Sequence, residues 1–240
     1  MPWIIANATD TSFKVMKTFM HRDPVNYFRD HHPSVRLGVY ATHAGRNDIA
    51  IEALEKGVLE EPENERINFN LGSLYRTAGR YEEAIPKLLV ALKKDADYVL
   101  AFEVLVKTII EKGDADGARK FASEYLQALS DQAGSALMSN KPGKAARHYS
   151  AAIQMGARNR EMYLNLGTSY HRAGLVELAI ASWQQGLEHY PEDTNLLWNL
   201  GLAFQEAENS SQAKEIYGKI LDIEPENQDA RREWISIRDK

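Results

Sequence analysis

The tripeptide Asn-Leu-Gly occurs at Asn70-Leu71-Gly72, Asn165-Leu166-Gly167 and Asn199-Leu200-Gly201, and the last two copies lie 34 residues apart. A recurrence at that distance points to a supersecondary unit stacked on copies of itself. Ruling off 34 residues from Arg160 puts Tyr163, Leu166, Gly167, Tyr170, Gly174, Ala179, Trp183 and Pro191 at positions 4, 7, 8, 11, 15, 20, 24 and 32. The window from Thr194 repeats the pattern with Leu197, Leu200, Gly201, Phe204, Ala213, Tyr217 and Pro225. Windows from His31 (Leu37, Gly38, Gly45, Ala50, Leu54, Pro62) and from Glu65 (Leu71, Gly72, Tyr75, Gly79, Ala84, Leu88) share the same grammar.

Physical chemistry gives that grammar a meaning. At 100° per residue, positions 4, 7, 8 and 11 form one apolar stripe of an amphipathic helix. Small residues at 8 and 20 let two helices approach closely. Glycine at 15 suits the turn between them, and proline at 32 stops the second helix. The pattern resembles the tetratricopeptide repeat family, whose unit is a helix, a tight turn and an antiparallel helix. The resemblance covers roughly residues 31 to 240. It implies an all-α, right-handed superhelical solenoid of about six helical hairpins, with an extra N-terminal helix and a C-terminal capping helix.

The period fails once. Asn70 and Asn165 are 95 residues apart, seven short of three full periods. Windows from Val99 (Phe102, Leu105, Ile109, Gly113, Ala118) and Leu126 (Ala145, Tyr149, Ala152) bracket the deficit. The expectation is that the first helix of the fourth repeat is cut to about Ser130–Ser139, with Lys141-Pro142-Gly143 turning the chain. The stack is then weakest or most bent there, which suggests a division into 1–30, an N-terminal segment, 31–129, three repeats, and 130–240, a shortened repeat, two full ones and a cap. Pro86 should kink its helix locally. Asn227 to Arg238, with Ala230, Trp234 and Ile237 on one face, reads as the capping helix. In the first 30 residues, Phe13, Met16, Phe19 and Met20 follow helical spacing. That stripe either caps the first repeat or docks on another copy and drives self-assembly.

If first helices line a concave groove, positions 2, 6, 9 and 13 face it, opposite the packed stripe. These are His32, Arg36, Val39 and His43, then Arg66, Asn70, Ser73 and Thr77, then Leu100, Val104, Lys107 and Glu111. The last two repeats supply Glu161, Asn165, Thr168 and Arg172, then Asn195, Asn199, Leu202 and Glu206. The first two sets carry Arg36, Arg66 and two histidines with no carboxylate, so acidic segments are the expected partners at that end. The family resemblance implies that Asn70, Asn165 and Asn199, all at position 6, bond the main chain of an extended peptide. Trp198, at position 5, is placed either to anchor an apolar side chain or to pack between repeats. Members that clamp a C-terminal chaperone tail have Lys at 5 and Asn at 9. Here Val35, Val39, Phe69 and Ser73 stand at those positions, which disfavours that ligand.

Lys and Arg total 29 against 34 Asp and Glu, giving a net charge of −5, so nucleic acid is not the expected partner. With no cysteine there is neither disulfide nor thiolate metal site. The seven histidines show no ligand spacing, and no phosphate loop or nucleophile elbow occurs, so neither enzyme activity, cofactor nor metal is expected. No apolar run suffices for a membrane span. The expected location is the cytoplasm, either free or at the periphery of a membrane-bound assembly. The leading reading is a scaffold or adaptor for protein or peptide partners, and the alternative is a module that delivers substrates to a partner enzyme. The opening, with Tyr27-Phe28-Arg29-Asp30 before a turn reading Ala44-Gly45-Arg46, is similar to that of magnetosome-associated members of the family. That likeness implies self-assembly into a coat on a bacterial organelle.

Overall fold

The computed structural model describes residues 33–237, which form twelve helices and no strand among the described residues. Expectations for residues 1–30, and for His31, His32 and Arg238, lie outside them. Two compact units divide after Ala122.

The first unit holds α1 (Pro33–His43), α2 (Asn47–Glu60), α3 (Glu65–Thr77), α4 (Tyr81–Lys94), α5 (Val99–Glu111) and the start of α6 (Ala115–Met138). Each helix packs on the next from α1 to α5, and α3 also touches α1 and α5. Ile67, Leu71, Ala84, Leu88 and Leu105 are wholly buried between these layers. Position 8 is the point of closest approach: a Cβ on Gly72 would lie 2.7 Å from Leu88 Cγ, so the hairpin could not close around a larger residue. Despite Pro86, α4 runs unbroken.

The second unit takes the rest of α6, then α7 (Pro142–Gln154), α8 (Arg160–Arg172), α9 (Val176–His189), α10 (Thr194–Glu206), α11 (Ser210–Ile223) and α12 (Gln228–Ser236). Consecutive helices pack from α7 to α12, with α8 also meeting α10. Trp183, Tyr163 and Tyr217 are its largest buried side chains. The closing helix α12 buries Ala230 completely and leaves Arg231 and Arg232 exposed, as a terminal cap should. Asn64, Asn159, Asp193 and Asn227 all stand at position 34, and each accepts a hydrogen bond from the main chain of the following helix's first turn. Such caps are worth about 1 kcal/mol each.

One expectation is corrected. The fourth repeat does not begin with a shortened helix at Ser130–Ser139. Instead α6 runs for 24 residues without interruption, roughly 36 Å at 1.5 Å per residue. Its N-terminal part belongs to the third hairpin, where Ala118 is buried and Phe121 stacks on Phe102 with centroids 6.0 Å apart. Its C-terminal part keeps the register of the window from Leu126: Leu129, Ala133 and Ala136, at positions 4, 8 and 11, are all buried. The seven residues are therefore missing from the end of the third repeat, and with them goes the loop that separates its second helix from the next. The turn that follows is also displaced from the expected one. It occupies residues 139–141, Asn140 takes a φ of 53°, and Pro142 opens α7, where its missing N–H costs nothing.

Candidate functional site

Within the first unit, α1 and α3 diverge enough to leave a pocket of about 280 Å³ lined by Gly38, Val39, Thr42, His43, Leu54, Asn70, Ser73, Leu74 and Thr77. Positions 9 and 13 of α1 and positions 6, 9 and 13 of α3 all reach it. Behind position 8 of α1, a glycine, lies the buried Leu54 of α2, so close that a Cβ on Gly38 would come within 2.9 Å of Leu54 Cγ. Thr42 donates to Gly38 O at 2.8 Å and Thr77 to Ser73 O at 2.9 Å, so these two hydroxyls are spent within their own helices. Ser73 Oγ is buried and has no hydrogen-bond partner.

Polar groups frame this pocket. Asn70 Nδ2 donates to Arg66 O at 2.7 Å, fixing the amide so that Oδ1 points away as an acceptor. Arg66 is exposed and Arg36 half-buried on their helices. On α5, Lys107 is exposed, and Glu111 is held by Arg76 of α3 through two bonds of 2.8 Å. Bonding to Arg76 keeps the Glu111 carboxyl below its usual range. Phe69 of α3 lies against Tyr98 with ring centroids 4.9 Å apart, and burial raises the Tyr98 pKa. Val35 is buried in the core, so position 5 is turned toward packing in this unit.

In the second unit the position-6 asparagines behave differently from each other. Asn199 Nδ2 donates to Asn195 O at 2.7 Å, the same arrangement as Asn70. Asn165 instead hydrogen-bonds the hydroxyl of Tyr149, a buried side chain of α7. Arg172 donates to Asn140 Oδ1 at 3.0 Å and Leu137 O at 3.3 Å, tying the turn after α6 to α8. Trp198 is half-buried, edge-on to Tyr217 at 5.5 Å.

The structure thus gathers Val39, His43, Asn70, Ser73 and Thr77 at one pocket. Thr42, Leu54 and Leu74 also line it, although positions 12, 24 and 10 belong to neither the groove set nor, for 12 and 10, the packed stripe. The signal for Leu54 is glycine at 8 of α1, which lets α2 pack that close. Among the described residues, no group of three His, Asp or Glu stands ready for a metal, and no helix is long and apolar enough to cross a membrane.

A family model described as tetratricopeptide repeat matches residues 35–99 and 130–194, and another with the same description matches 196–227. The first model's two segments flank the interval in which the seven residues are missing. No curated protein sequence matches the chain. Among solved structures, the chain is similar to the first TPR of Spaghetti (RPAP3) bound to the HSP90 peptide SRMEEVD, at 20% identity over 47% of this chain and 89% of that one, with a TM-score of 0.43. It is similar to YrrB, described as a TPR protein with an unusual peptide-binding site, at 20% identity over 76% of this chain and 98% of that one, TM-score 0.41. It is similar also to MamA, at 19% identity over 82% of this chain and 92% of that one, TM-score 0.38. Since the first family model alone takes in more than half of the residues, and its two segments carry the hairpins seen here, the chain belongs to the tetratricopeptide repeat family.

Proposed function

We propose that this protein is a non-enzymatic scaffold that holds extended segments of other proteins on the exposed face of its first helices. The observation that carries the reading is the pocket between α1 and α3, which combines an apolar floor with main-chain bonding groups. Arg36 and Arg66 on the same two helices favour acidic segments as partners. Asn165, Arg172, Trp198 and Asn199 form the corresponding face of the second unit, with Asn199 free to accept through Oδ1. A direct test is capture of fluorescein-labelled acidic heptapeptides by the full chain, measured by anisotropy, beside a variant with Arg36→Glu and Arg66→Glu. Binding that weakens about tenfold or more on charge reversal supports the reading. Equal binding by both proteins, or none by either, sinks it.

Self-assembly is a second reading, favoured by the apolar spacing of Phe13, Met16, Phe19 and Met20, and a coat role on a magnetosome is its most specific form. Light scattering over a concentration series, with the full chain against one beginning at His31, decides it. Large assemblies lost on truncation support it, and monomers in both samples end it.

A further inference from the structure

Two neighbouring hairpin turns of the second unit share one edge. Arg172, at the end of α8, donates to Leu137 O at 3.3 Å and to Asn140 Oδ1 at 3.0 Å, which ties the turn at 139–141 to the one at 173–175. Three exposed apolar side chains stand there: Met138 at 90%, Leu178 at 47% and Leu175 at 45%. Among the described residues Met138 is the most exposed large apolar side chain, and it closes α6 without joining the core. Apolar surface left in water this way marks a place that meets something apolar.

Charge on the same edge is uneven. From Gln132 to Arg160 the sequence holds no carboxylate, in a chain whose acids outnumber its cations 34 to 29. Within that stretch Arg158 is held by Ile153 O, Arg160 by Asp193, and Arg147 also has a partner. Lys141, at the N-cap of α7, and Lys144, in its first turn, are exposed and make no ion pair. The acid on this edge is Glu177, exposed in the first turn of α9 and paired with neither lysine. Glu208, on the next turn along, ends the basic stretch.

We propose that this edge docks on an anionic lipid bilayer, with Met138, Leu175 and Leu178 entering the interfacial layer and Lys141 and Lys144 meeting the lipid phosphates. Charge selects an anionic partner, and shape selects a bilayer over an acidic protein. A methionine nine-tenths exposed projects from the surface. A fluid interface accepts such a side chain without a matching pocket, whereas a protein partner must supply one. Lysine stems lie along the apolar neighbours and hold their charge at the level of the phosphates. Two cations and three apolar side chains give weak, reversible, salt-sensitive attachment. The proposal goes beyond the peptide-binding reading and stands if that reading falls.

The test sediments the full chain with vesicles of phosphatidylcholine alone and of equimolar phosphatidylcholine and phosphatidylglycerol. Binding to the mixed vesicles should be tighter by about tenfold or more and should weaken as salt is raised. Each lysine near such a surface is worth about a factor of five, so Lys141→Gln with Lys144→Gln should weaken binding about 25-fold. Met138→Gln should weaken it by about five- to tenfold, and Leu175→Gln takes its place should a thermal melt show that Met138→Gln does not fold. Because the chain has no cysteine, Met138→Cys can carry a single nitrobenzoxadiazole label. Its emission should brighten and shift to the blue on mixed vesicles. The same label on Glu192→Cys, beyond the far end of α9, a helix about 21 Å long, should not change.

No sedimentation with the mixed vesicles, or equal binding to both kinds, overturns the proposal and leaves the peptide-binding reading in place. So does binding that the folded lysine variant retains in full, or a label at residue 138 that stays in water while the chain is bound. Release of the chain from vesicles by soluble polyglutamate at lower concentration than the lipid makes an acidic protein the partner, and that also overturns it.

Discussion

Arg76 of α3 and Glu111 of α5 form a two-bond ion pair across adjacent hairpins, and the same join recurs 95 residues later, where His171 Nε2 meets Glu206 at 2.5 Å. In both cases position 12 of one first helix reaches position 13 of the next, so the partners are 35 residues apart. Arg76 holds the Glu111 carboxyl below its ordinary value of 4.5. A depressed carboxylate contributes stability that is present above the unfolded-state pKa and lost as pH falls through the folded one. Glu111→Gln should therefore melt at a lower temperature than the unmodified chain at pH 7, with the difference shrinking as the pH is taken below about 4.5. A constant difference down to pH 2.5 would show that the pair contributes nothing through charge.

Tyr75 answers to the opposite limb. Burial of its ring, followed by the hydrogen bond to Glu55, pushes its hydroxyl up to about 12. A raised acid gives stability that is complete below the unfolded pKa of 10.0 and lost as pH climbs through the folded value. Arg80 packs over the same ring at 4.3 Å and works against the shift. Urea unfolding of Tyr75→Phe at pH 8 should show a loss of about 1 kcal/mol for the missing hydrogen bond. Between pH 10 and 12 the two proteins should converge, since only the unmodified chain has this group to ionise. Parallel curves across that interval would refute the assignment.

Much of this architecture is visible in the recurrence itself, and the exceptions have physical causes. The pocket residues Val39, Asn70 and Ser73 follow from helical geometry because they lie opposite a stripe that must be buried. What the recurrence does not reveal is where the seven residues are lost. Residues 130–138 are helical as expected, but no break precedes them: they continue α6, because Leu129, Ala133 and Ala136 bury one face of the same helix that carries Ala118. Asn165 breaks step with its two counterparts for a comparable reason: a long tyrosine from α7 reaches it, a contact that depends on the hairpin before it and not on position 6.

Position 15 shows a rule that survives a change of residue. It is glycine with positive φ in four hairpins, and Asn140 and Glu208 adopt the same left-handed turn with φ of 53° and 56°. An L-residue there costs roughly 1–2 kcal/mol relative to glycine. Glu208→Gly should accordingly stabilise the chain by about 1 kcal/mol in urea unfolding. Asn140→Gly should give no comparable gain, because it removes the acceptor that Arg172 uses at 3.0 Å. Equal effects from the two substitutions would show that backbone strain does not distinguish these turns.

Two glycines inside helices separate close packing from simple flexibility. Gly167 faces the indole of Trp183, whose Nε1 donates to Leu164 O at 3.2 Å, and a Cβ at residue 167 would collide with that ring. Trp183 is wholly enclosed and has no other place to go. Gly167→Ala should cost about 1–3 kcal/mol from overpacking, more than the helix propensity it gains. At Gly134 the nearest atom to a new Cβ is Tyr149 Oη at 3.6 Å, an ordinary contact. Gly134→Ala should leave stability unchanged or raise it by up to about 1 kcal/mol, and it should do so only if α6 is one continuous helix at that point. Destabilisation by Gly134→Ala as large as that by Gly167→Ala would mean that the segment around residue 134 is held in some other conformation, and the loss of the loop between the third and fourth hairpins would have to be redrawn.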